Sequence, residues 1–221
     1  MRSHRLFVNA LTFSRVPLIF AWLSFAIAME YLGCPSKLAG CWYGVWACLA
    51  MLLSGLTDAF DGALARKWSV VTPLGKMADP LMDKVFYVVA FPGLTWLAMH
   101  QGESDAHALA LLAFTILYIL RDLWVTFMRS IGTMYGADVA AMWLGKVRTA
   151  LSFPVAGWIY MYLAFHPAKD PFCESCGSVW TTYWLWSCYF FEAFMIALTL
   201  VSVVTYTRAY MPYLKKALER N

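Results

Sequence analysis

Residues 54–85 read SGLTDAFDGALARKWSVVTPLGKMADPLMDKV, and they set four carboxylates, Asp58, Asp61, Asp79 and Asp83, between apolar runs long enough to cross a bilayer. The chain has only 13 acidic residues among 221, so the concentration is local. Ionisable groups at the edge or interior of a membrane are costly unless paired or bound to a cation, and by default they mark function. Asp58, Asp61 and Ala65 fall at i, i+3 and i+7, on one helical face, while Asp79 and Asp83 at i and i+4 share a face of the next helix. Two helix ends that each present a carboxylate pair form a cage of oxyanions that repels itself. Hard divalent cations with a preference for oxygen, Mg²⁺ or Mn²⁺, one or two of them, are the natural remedy.

Outward from this window the chain is 62% hydrophobic and 14% charged with a mean hydropathy of +0.61, far more apolar than one soluble core of this size requires. The expected class is all-α, a polytopic integral membrane protein with six transmembrane helices and a short N-terminal interfacial segment, forming one membrane domain over residues 1–221. A span needs about 20 apolar residues. The spans predicted on that basis are 6–31, 41–64, 79–99, 108–129, 143–165 and 180–206. The first carries Asn9, Thr12 and Arg15 on one broad face, and its apolar run is too long for the core of a cleavable signal peptide. Asp79 before Pro80 suits a helix start, with Asp as N-cap and Pro as first helical residue, unless the helix begins earlier and holds Pro80 in its first turns. HQGESDAH, residues 100–107, and residues 166–178 are read as polar loops, and Gly132–Asp138 as a turn.

Charge supplies the orientation. With six spans and both termini on the cytoplasmic side, only Lys37 and Lys169 of the 17 Lys and Arg fall in outer loops, which satisfies the positive-inside rule. The carboxylate window then faces the cytoplasm, as in a bacterial-type inner or plasma membrane. The net charge of +4 is scattered over segment ends rather than gathered on a soluble face, which excludes nucleic acid as a partner. Eleven Trp and twelve Tyr fit interfacial belts. Cys34, Cys41, Cys173 and Cys176 lie in or beside outer loops, where a structural disulfide of undetermined connectivity competes with free thiols.

Beside the carboxylates, Gly62 and Gly75 remove side chains where a bulky substrate approaches the backbone, and Arg66 offers a planar fork suited to a diphosphate. Metals on phosphate oxygens, a nearby cation and a carboxylate beside an attacking hydroxyl are the recurrent parts of phosphoryl transfer. An ion path through a cation channel or transporter also needs carboxylates. It needs neither the glycines nor the arginine, and many transporters hold their substrate near the midplane.

Asp58-x2-Asp61-Gly62-x2-Ala65-Arg66-x8-Gly75-x3-Asp79-x3-Asp83 resembles the signature of the CDP-alcohol phosphotransferases at all eight fixed positions. The resemblance extends to the six spans and to the place of the motif between the second and third. It implies a membrane enzyme, commonly a homodimer among membrane lipids, that transfers a phosphatidyl or similar group from a CDP-linked donor to an alcohol and releases CMP. It further implies that Asp58, Asp61, Asp79 and Asp83 hold the metal, that Asp83 is the catalytic base, and that Gly62, Arg66 and Gly75 contact the CDP moiety. NALTFSR near the start, Arg121-Asp122 with Arg129, and Gly145-Lys146-Val147-Arg148-Thr149 are similar to pieces of the phosphatidylglycerophosphate synthases of that family. Those use CDP-diacylglycerol and glycerol 3-phosphate. An acceptor carrying a phosphate requires cations, and Arg121, Arg129, Lys146 and Arg148 lie at the inner ends of spans four and five. Lys146 and Arg148, two apart, diverge on a helix, and Asp122 shares a stripe with Arg129 that it can orient. Phosphatidylglycerol, as in cardiolipin synthases, and inositol phosphate are the alternative acceptors.

Overall fold

The structure, a computed structural model, describes residues 2–32, 37–68, 73–101, 104–137, 143–165 and 177–219. Among them are six helices and no strand: α1 (Arg2–Tyr31), α2 (Lys37–Lys67), α3 (Pro73–Gln101), α4 (Asp105–Met134), α5 (Trp143–Phe165) and α6 (Gly177–Glu219). All but α5 are long and apolar enough, by length and composition, to cross a membrane. Helix α5 is the shortest, 23 residues with Lys146 and Arg148 near its start, and its bounds coincide with the expected span.

The helices differ from the expected spans mainly at their ends. Helix α3 opens at Pro73, so Asp79 and Pro80 are helical rather than cap and first residue, and Gly75 sits in the first turn instead of a loop. Proline suits that opening because its missing N–H would be unpaired there anyway. The polar stretch 100–107 is mostly absorbed into the ends of α3 and α4, with Ser104 capping α4 by accepting the backbone N–H of His107 at 3.3 Å. Arg2–Arg5, expected as an interfacial segment, are continuous with α1. The basic tail is helical to Glu219, which makes α6 43 residues long. Gly132 is still inside α4; the helix stops at Tyr135, and Gly136 takes the left-handed conformation, φ 72°, that a glycine adopts without a Cβ penalty. Cys34, Cys173 and Cys176 lie outside the described residues, as does the side chain of Cys41; Cys48 and Cys188 are free thiols.

Helix α3 is the central element, packed against α1, α4 and α5, while α4 and α5 both lean on α6 and α1 pairs with α2. Its buried positions Ala78, Met82, Phe86, Ala90, Leu94 and Leu97 recur about every fourth residue, as a one-faced stripe requires. Phe91 of α3 meets Phe114 and Tyr118 of α4 edge-on, at centroid distances of 4.7 and 4.9 Å. Such pairs are worth about 0.5–1.5 kcal/mol each beyond burial. Outward-facing leucines and phenylalanines such as Leu109, Leu120, Leu123, Phe127, Phe190 and Phe194 leave an apolar exterior that suits lipid rather than water.

Candidate active site

Asp58, Asp61 and Gly62 end up on the last turns of α2, and Asp79 and Asp83 on the first turns of α3. The side chains of Asp58, Arg66 and Asp79 lie outside the described set, so the cage is seen through Asp61 and Asp83. Both reach one guanidinium. Arg15 of α1 donates from Nη2 to Asp61 Oδ2 at 2.7 Å and from Nη1 to Asp83 Oδ1 at 3.1 Å. Thr12, one turn earlier, donates to the same Asp61 oxygen at 2.8 Å. Arg15 and Asp61 are each about 4% exposed, and buried charges persist only when paired and hydrogen-bonded in this way. The polar face noted at the start of α1 is therefore the third wall of the motif.

Asp83 and Arg15 open onto a cavity of about 870 Å³ lined from all six helices, mostly α3, α4 and α5 with Tyr206 of α6. Arg121, Arg129 and Lys146 line the same cavity. Arg148 does not: it is 1% exposed, its Cζ lies 3.8 Å from the Tyr118 ring centroid, and Nη2 reaches Asp122 Oδ1 at 3.4 Å. Asp122 faces Lys84 at 3.2 Å, Arg148, and Arg121 at 3.6 Å. Among the described residues lining this half, Asp122 is the one carboxylate beside Lys84, Arg121, Arg129 and Lys146, a basic surround suited to a phosphate. The other half, with Asp83, holds the acids.

Arg121 is itself held from α6. Its Nε donates to Ser202 Oγ at 3.0 Å, its Nη2 donates to the same oxygen, and its Cζ stands 5.2 Å from the Tyr206 ring centroid. Gly145 makes room for this: a Cβ there would lie 3.0 Å from Tyr206 Oη and 3.5 Å from Arg121 Nη2. Ser202 and Tyr206 went unnoticed in the sequence because they sit in the apolar stretch of the last span; only their spacing of one helical turn hinted at a shared face. Arg15 left a stronger trace, a charge three residues from Thr12 within an apolar run.

The site thus combines a pair of carboxylates able to share a cation, a basic half able to hold an anion, and a space between them. The family described as CDP-alcohol phosphatidyltransferase matches residues 5–201, a stretch that stops one residue short of Ser202. The chain is 30% identical over 124 residues to a CDP-diacylglycerol–glycerol-3-phosphate 3-phosphatidyltransferase of Escherichia coli (strain K12), covering 53% of this chain and 62% of that protein. The corresponding protein of Salmonella typhimurium is 29% identical over the same shares. A CMP-forming cardiolipin synthase of Streptomyces coelicolor is 43% identical over 51 residues, 23% of this chain and 24% of that protein. The matched stretch spans less than two thirds of each of these relatives.

Proposed function

This chain belongs to the CDP-alcohol phosphatidyltransferase family, and from that premise we propose that it transfers the phosphatidyl group of CDP-diacylglycerol to glycerol 3-phosphate, giving phosphatidylglycerophosphate and CMP. The observation that carries the acceptor is the cavity in which Asp83 and three cations, Arg121, Arg129 and Lys146, face a common space. A carboxylate beside the attacking hydroxyl and cations around a phosphate on the same small molecule are what such an acceptor requires. The relatives from Escherichia coli and Salmonella typhimurium act, by their names, on the same pair of substrates.

Asp58, Asp61, Asp79 and Asp83 would hold a divalent ion in the acidic half: Asp61 and Asp83 come from different helices yet reach one cationic group, Arg15, and carboxylate oxygens are what Mg²⁺ or Mn²⁺ takes. Such an ion, when bound, neutralises the diphosphate of the donor and polarises the phosphoryl group. The chain's own residues do the rest. Gly62, Arg66 and Gly75 seat the CDP moiety. Asp83 accepts the proton of the acceptor hydroxyl as its oxygen bonds to the phosphorus that carries the diacylglycerol. The bond from that phosphorus to CMP breaks, and CMP leaves with the electron pair. Arg121, Arg129 and Lys146 bind the acceptor phosphate, while Arg148, buried against Tyr118, acts through Asp122. We read α5, packed against α2, α3 and α6, as a sixth span; with six spans the positive-inside bias supports a cytoplasmic orientation of the site and both termini.

Purified protein in detergent, given CDP-diacylglycerol, Mg²⁺ or Mn²⁺ and labelled acceptors one at a time, tests this directly. Release of CMP with glycerol 3-phosphate incorporated into lipid is the expected result. CMP release with phosphatidylglycerol alone would favour the second acceptor, to which the short match with the cardiolipin synthase points. No CMP release with any acceptor overturns the enzyme reading.

A further inference from the structure

We propose that Ser202 and Tyr206 are positioning residues of the acceptor half of the site, fixing the Arg121 guanidinium so that it meets the acceptor's phosphate already oriented. The proposal rests on the reading of the acceptor as a phosphorylated alcohol. An arginine side chain loses several rotatable bonds of freedom when it clasps an anion, and a guanidinium held in place beforehand avoids that loss. Arg121 is held twice. Ser202 Oγ, 81 residues away in sequence, accepts both Nε–H and one Nη2–H, which ties down one edge of the fork and leaves three N–H groups for other partners. The guanidinium Cζ stands 5.2 Å over the Tyr206 ring centroid, within cation–π range.

The clamp is itself rigid. Ser202 is fully buried and Tyr206 is 2% exposed. Tyr206 stacks on Tyr210 with the rings 8° from parallel, and its hydroxyl lies against the side-chain-free Gly145 of α5. Arg121, Gly145 and Tyr206 all line the cavity, so three helices meet around this one cation. Asp122, next to it, is shared with Lys84 and Arg148 and so leaves Arg121 net positive. A serine and an aromatic ring serve a neutral purpose here: they orient a cation without cancelling its charge, whereas a carboxylate in the place of Ser202 would occupy it.

The test is steady-state kinetics of the full chain in detergent, with CDP-diacylglycerol and glycerol 3-phosphate each varied. Ser202→Ala should raise the KM for glycerol 3-phosphate about 10-fold, the size of a lost hydrogen bond to a charged group, with the KM for CDP-diacylglycerol within about twofold of wild type. Ser202→Thr, which keeps the hydroxyl, should restore most of the affinity. Tyr206→Phe keeps the ring and should leave the acceptor KM within about twofold, while Tyr206→Leu should raise it severalfold. Elution as a monodisperse peak at the wild-type volume guards against misfolding, and Ser202→Thr and Tyr206→Phe are mild enough to carry the comparison if Ser202→Ala or Tyr206→Leu does not fold. In that case a Ser202→Thr variant with shifted donor and acceptor KM alike overturns the positioning role. So does an unchanged acceptor KM in Ser202→Ala. A wild-type protein that incorporates no phosphorylated acceptor overturns the underlying reading as well, and it does so before any variant is made.

Discussion

Arg15 is the residue on which the acidic half turns. Its guanidinium spans 46 residues to Asp61 and 68 to Asp83, and both it and Asp61 are almost wholly out of solvent. Removing one partner of such a buried set leaves uncompensated charge, at a cost of about 3–5 kcal/mol. Arg15→Ala should therefore lower the unfolding temperature in detergent by several degrees. Added Mn²⁺ should recover more of that loss than it adds to wild type, because the two carboxylates then lack their cation; equal Mn²⁺ shifts in both proteins would separate Arg15 from the cage. Asp83 lies at the seam between the acids and the cavity. Asp83→Asn should reduce turnover by about 100-fold or more, the usual contribution of a general base, while Mn²⁺ binding by the apo protein, read by calorimetry, remains measurable. Retained turnover would remove Asp83 from the role of base.

At the scale of the elements, α5 separates two cations that lie two residues apart. Lys146 is exposed and lines the cavity, whereas Arg148 is buried under Tyr118. A helix turns about 200° in two residues, so the pair cannot serve the same ligand. Lys146→Ala is expected to raise the acceptor KM about 10-fold with no change in thermal stability. Arg148→Ala is expected to do the reverse at first order, lowering stability by about 3 kcal/mol because Asp122 loses one of its buried partners. A thermal scan beside a KM measurement for each variant decides it; identical profiles would mean the two side chains share one function.

Over the whole molecule, α6 sets the reach. Forty-three residues at 1.5 Å each give about 64 Å, roughly twice the hydrocarbon thickness of a bilayer. About a third of the way along, α6 meets α4 at His107, whose Nε2 lies 2.9 Å from Glu192 Oε1 in a buried pair, and its far end carries Lys215 and Lys216 past the cavity. Topology reporters inserted after residues 70 and 139 should report the cytoplasmic side, and those after 103 and 171 the opposite side. If α5 does not span, the reporters after 139 and 171 will agree. That outcome would move the loop around Cys173 and Cys176 to the side of the active site.

Much of this was legible in the sequence. The apolar runs, the 3.6-residue period of α3 and the spacing of Asp58, Asp61, Asp79 and Asp83 are local properties, and local patterns survive in a one-dimensional string. Helix ends were less legible, as at Pro73, because proline and glycine mark a loop as readily as proline opens a helix. The chain's sequence by itself determined the membrane class, the family and the spacing of the four carboxylates. Only the tertiary structure decided that Arg15 bridges the cage, that Arg148 leaves the cavity to Lys146, and that Ser202 and Tyr206 hold Arg121. Those partners lie 26 to 85 residues apart, and no spacing rule links residues on helices that meet only when the bundle closes.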